Sequence, residues 1–85
     1  MPSKKELRKR AHNLKPVVAI GKNGLTDAVV AELKAALKRD KLIKVKLAGG
    51  AVDKYGKEGL LPEILSSTDS SLVERKGFTV VLYKP

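Results

Sequence analysis

Apolar residues recur with two different periods along the chain, and the switches between them outline the fold. Leu7, Ala11 and Leu14 are spaced for one face of a helix over Ser3 to Leu14. Ser3 is placed to cap it, Glu6 follows three residues later as in a capping box, and Pro16 ends it. Val17 to Ile20 is a short β-branched run that predicts a buried strand. From Leu25 the stripe Leu25, Ala28, Val29, Leu33, Ala36, Leu37 repeats every three or four positions and predicts a second helix, with Thr26 or Asn23 as cap. The period then drops to two over Lys41 to Ala48, with Ile43, Val45 and Leu47 on one face and Leu42, Lys44 and Lys46 on the other.

Gly49-Gly50 reads as a loop, and Gly56 and Gly59 weaken any long helix through residues 51 to 59. Pro62 is accepted in a first helical turn, so Pro62 to Ser67 is expected as a short helix turning Ile64 and Leu65 inward. Leu72 to Lys76 and Phe78 to Lys84 read as strands of a hairpin with its turn at Lys76-Gly77. Phe78, Val80 and Leu82 are expected on a core face, and Thr79, Val81 and Tyr83 on the other, with Tyr83 packing. The order is α-β-α-β-α-β-β, an α/β fold with a mixed four-stranded sheet in a small two-layer or three-layer sandwich. The first two strands are expected to run parallel through a crossover helix. Eighty-five residues suffice for a single domain over residues 1–85.

Composition narrows the chemistry. No apolar run nears the roughly 18 residues of a membrane span. The chain has no cysteine, which removes disulfides and thiolate metal sites and fits a cytoplasmic protein. The net charge is +9, all of it in the first half: residues 1–46 hold thirteen Lys and Arg against four acids, and residues 47–85 hold five of each. A positive field concentrated in this way draws polyanions. A basic surface serving solubility is the plain alternative. An amphipathic membrane anchor fits less well, because the apolar side of the first helix has two leucines and no aromatic.

The stretch Gly21-Lys22-Asn23-Gly24 carries the clearest candidate chemistry. It follows a strand and opens onto a helix N-terminus, where main-chain N–H groups and the helix dipole favour an anion. Gly21 to Gly24 are expected to hold a phosphate, with Lys22 adding charge and Asn23 bonding phosphate, sugar or a base edge. Lys4, Lys5, Arg8, Lys9, Lys15, Lys44 and Lys46 are expected to extend the track, positioning the nucleic acid more than specifying it. The single histidine, His12, has no metal-ligand companions, no Ser or Thr has an evident His partner, and no nucleotide-binding glycine run appears. No metal, cofactor or enzymatic site is expected. Aromatic residues are too few for a base-stacking sheet of the RRM kind.

Leu14-Lys15-Pro16-Val17-Val18, Ile20-Gly21-Lys22-Asn23-Gly24-Leu25-Thr26, Leu42-Ile43-Lys44-Val45-Lys46 and Val80-Val81-Leu82-Tyr83-Lys84-Pro85 together resemble the YhbY-type CRM (chloroplast RNA splicing and ribosome maturation) domain. The resemblance implies a stand-alone RNA-binding domain similar in fold to the C-terminal domain of translation initiation factor three. It further implies RNA contact at the loop matching Gly21 to Gly24 and association of bacterial members with large-subunit ribosomal precursors. The expected partner is therefore structured RNA, ribosomal RNA or a large-subunit precursor, bound by a monomer. A DNA-coating chromatin protein and a permanent ribosomal protein are the alternatives.

Overall fold

The computed structural model describes residues 2–21, 23–48 and 61–85. The readings at Lys22 and over residues 49–60, including the glycine-weakened stretch, lie outside the described residues. Among the described residues, three helices flank a four-stranded sheet. They are α1 (Lys4–Ala11), β1 (Val18–Ile20), α2 (Asp27–Asp40), β2 (Leu42–Leu47), α3 (residues 61–68), β3 (Ser71–Lys76) and β4 (Thr79–Tyr83).

The sheet order is β1-β2-β4-β3. β1 runs parallel to β2, with Ile20 against Leu47, while β4 is antiparallel to both β2 and β3. The parallel pair needs a crossover, and α2 supplies it.

The period-two alternation of β2 sorts the two faces. Ile43, Val45 and Leu47 join Ile20, Val80 and Leu82 beneath Leu33, Ala36 and Leu37 of α2 and Leu61 and Ile64 of α3. On the other face Leu7 and Ala11 of α1 pack on Val73 and Val81, with Leu42 and Tyr83 partly buried beside them. The sandwich therefore has three layers, with α1 on one side of the sheet and α2 and α3 on the other. A bulge between Leu72 and Glu74 adds a residue to β3. Leu72 and Val73 face opposite sides as strand neighbours do, Leu72 toward the larger core and Val73 toward the smaller one, and the extra residue sets Val73 and Glu74 together opposite Val81.

Local chemistry sets the helix limits. Ser3 Oγ accepts the Glu6 N–H at 3.1 Å and caps α1. The helix closes at Ala11, three residues earlier than its apolar spacing predicts, because Pro16 disfavours helical geometry at Lys15 and the last turn unwinds ahead of it. Leu14 consequently leaves the apolar stripe and is exposed. α2 starts after Thr26, whose Oγ1 accepts the Val29 N–H at 3.2 Å. Leu25 thus lies before the helix, and Ala28 faces solvent. In α3 it is Leu61 and Ile64 that are buried, with Leu65 only partly so. Thr68 is buried too, and its hydroxyl donates to the Ile64 carbonyl at 2.7 Å.

Two further apolar residues expected inside lie outside. Val17 precedes β1 at the sheet edge and is exposed, although its N–H donates to the Lys44 carbonyl. Phe78 belongs to the hairpin loop and not to β4. Lys76 pairs with Thr79, so Gly77 and Phe78 form a two-residue loop, with Gly77 at φ 58 in its first position, as type II′ hairpins favour. The inward alternation of β4 begins only at Val80, and Phe78 is 50% exposed.

Candidate functional site

The glycine turn leaves the end of β1 beside the end of β2, where the Ala48 N–H donates to the Ile20 carbonyl. Its two glycines differ. Gly24 is buried and has φ 70, left-handed geometry that a side chain disfavours. Its N–H donates to the Gly21 carbonyl at 2.9 Å, so the turn closes on itself. Gly21 is exposed, its φ lies outside the left-handed region, and a Cβ there would meet nothing within 4 Å. The fold does not require a glycine at position 21. A bare main chain at an exposed turn admits close approach by a ligand's own backbone.

The seat differs from the expected one in what its main chain has left to offer. Gly24 has already committed its N–H, and the Thr26 N–H donates to the Gly24 carbonyl. Thr26 caps α2, and Asp27 places a carboxylate in its first turn. Part of the helix's positive end is thereby answered from within the protein. Asn23 is exposed at the turn.

The cations do not form a single patch. α1 lies across the sheet from α2, so the exposed Lys4, Lys5, Arg8 and Lys9 are on the far layer from the helix that the turn opens. The link between them is β2. Lys46 is the register partner of Ala19, two residues before Gly21, and Lys44 follows on the same face toward α1. Lys44 then lines a groove with Arg10, Lys15 and Arg39, floored by Leu42 and Ile43 and with a volume of about 480 Å³.

Two of these cations are already engaged: Arg10 pairs with Glu6 at 3.1 Å and Arg39 with Asp40 at 2.9 Å. The hydrogen bond from Arg39 holds the Asp40 carboxyl below the usual carboxylate range and raises the guanidinium in turn. Lys15, Lys44 and Lys46 have no ion pair among the described residues. They are the cations on this face more open to an outside anion.

Sequence reading missed Lys76. The sheet register sets Lys46 opposite Thr79 and Thr79 opposite Lys76, which brings two lysines thirty residues apart onto one row. Below that row a concavity of about 370 Å³ is lined by His12, Lys44, Glu74 and Lys76 among others, with Glu74 its one carboxylate. Only strand order reveals this grouping, and no local signal carries it.

The family model of the CRS1/YhbY (CRM) domain matches residues 2–84. The chain belongs to this family. A CRM relative from Haemophilus influenzae, named an RNA-binding protein, is 43% identical over 96% of this chain and 81% of its own length. Another from Pseudomonas aeruginosa, named a probable RNA-binding protein, is 40% identical over 95% of this chain and 76% of its own. The fold is similar to the solution structure of a hypothetical protein from Staphylococcus aureus. That match has a TM-score of 0.79 at 30% identity and covers 96% of this chain and 83% of the other.

Proposed function

We propose that this CRM domain binds structured RNA through the Gly21–Gly24 turn and the lysines of β2, and that it acts as a monomer in assembly of the large ribosomal subunit, without catalysing a reaction. The observation that carries the reading is Gly21, an exposed glycine that neither backbone geometry nor packing demands, near β2 lysines that have no ion pair among the described residues. Relatives named as RNA-binding proteins point to the same class of partner.

Phosphate contact rests on Lys22, Asn23 and the main chain ahead of Gly24, because the Gly24 N–H is spent on the turn itself. Lys46, Lys44 and Lys15 carry the sugar-phosphate strand away from the turn, and Lys4, Lys5, Arg8 and Lys9 engage RNA that wraps onto the outer layer.

Sedimentation of a tagged copy from growing cells tests the assembly role. Enrichment with immature large-subunit particles is expected. Stoichiometric presence in finished ribosomes would instead make it a permanent ribosomal component, and recovery with the nucleoid would make DNA the partner.

A further inference from the structure

We infer that Lys34, Lys38, Lys41 and Lys84 form a second seat for RNA phosphates, at the end of α2 away from the glycine turn, so that one domain holds two RNA segments at once. The inference rests on the RNA-binding reading and adds to it a second ligand segment and the residues that take it.

Grouping is the first support. The four lysines line a concavity of about 380 Å³ beside Leu37, and no lining side chain is acidic. Lys34 and Lys38 are four residues apart on α2, a like-charge spacing that weakens a helix. Lys41 and Lys84 extend the β2–β4 pairing one step beyond Leu42 and Tyr83, and the Lys84 N–H donates to the Lys41 carbonyl at 2.9 Å. None of the four has an ion pair among the described residues. Two stretches far apart in sequence thus bring like charges together, and a polyanion seated there relieves their repulsion.

The backbone of Lys41 is the second. It stands at φ 66 and ψ −36 just after α2, where a Cβ is disfavoured and glycine is the usual residue. Its N–H donates to the Leu37 carbonyl at 2.8 Å and its carbonyl accepts from Lys84, so its main chain serves the fold while its side chain is exposed. The helix dipole favours a cation in the last turn, which accounts for Lys38. It accounts neither for Lys84, which follows a strand, nor for a lysine in place of glycine at position 41.

Separation is the third, and it makes this seat distinct from the turn. α2 has 14 residues, which at about 1.5 Å each set the two ends about 21 Å apart. That is more than twice the screening length of about 8 Å at physiological salt, so each end acts on its own phosphates. Between Asp27 and Leu33 the helix carries exposed Asp27 and Glu32 and no cation. A strand led along α2 from the turn meets these carboxylates before it reaches Lys34.

The test mixes two copies of one short RNA stem-loop, one labelled with a donor fluorophore and one with an acceptor, with the protein at fixed salt. Energy transfer is expected to rise as protein is added and to fall again once protein is in excess. The combined variant Lys34→Gln, Lys38→Gln, Lys84→Gln is expected to lose the transfer while binding a single stem within about 3-fold of the parent, because the turn lies beyond the screening length. Lys41→Gly is expected to weaken the transfer with an unfolding temperature equal to or above that of the parent, which separates binding from folding. Undiminished transfer in the combined variant overturns the inference, as would follow if paired copies of the protein did the bridging. So does absence of transfer from an unaltered protein that binds the single stem. Failure of the unaltered protein to bind the stem at all overturns the RNA-binding reading itself, and this inference with it.

Discussion

The pair Gly21 and Gly24 shows how the same residue type serves two different ends within one turn. Gly24 is held at φ 70, where a Cβ costs about 1–2 kcal/mol, so Gly24→Ala is expected to lower stability by that amount in denaturant titration. Gly21 has open space around it and an ordinary φ. Gly21→Ala is therefore expected to leave stability unchanged or to raise it by up to about 1 kcal/mol, through the narrower unfolded ensemble. If the turn meets an RNA backbone, that same stable variant binds RNA more weakly. A Gly21→Ala protein with full affinity would remove the turn from the interface. Lys22→Glu complements this pair, since it reverses a charge at the seat and is expected to weaken RNA binding with little change in unfolding temperature.

Among the elements, those whose pattern is local were legible and those set by partners were not. α2 was readable because its stripe and its cap reside in one stretch of chain, and Thr26→Ala is expected to cost about 1 kcal/mol in thermal or denaturant unfolding. β2 was readable because strict alternation survives burial on one face only. Phe78 was misplaced because a turn at Lys76-Gly77 and a turn at Gly77-Phe78 differ by one step in register, and the run Phe78 to Leu82 fits either. Leu14 was misplaced because helical spacing continues in sequence beyond the point where Pro16 stops the helix in space. At the site, the turn and the β2 lysines stood out from the residues themselves. The separation of α1 from α2 by the sheet, and the approach of Lys76 to Lys46, depend on strand order, which no short stretch encodes. The thin apolar face of α1 also has a consequence. Leu7 is its main anchor on Val73 and Val81, so Leu7→Ala is expected to cost about 2–5 kcal/mol in denaturant unfolding.

At the scale of the whole molecule, the +9 charge acts as a field that runs from the turn, down β2 and onto the outer helix. If about five phosphates are neutralised, the logarithm of the RNA association constant is expected to fall against the logarithm of salt concentration with a slope near −4. A flat dependence would remove the electrostatic mechanism. The margins of the sheet bear on how such a molecule behaves in company. One flank is the three-residue β1, and the other is β3, bulged and ending in Glu74, Arg75 and Lys76. A brief ledge on one side and a kinked, charged one on the other discourage a neighbouring copy from adding its own strand there. Copies gathered along a single RNA molecule would crowd together without seeding aggregates.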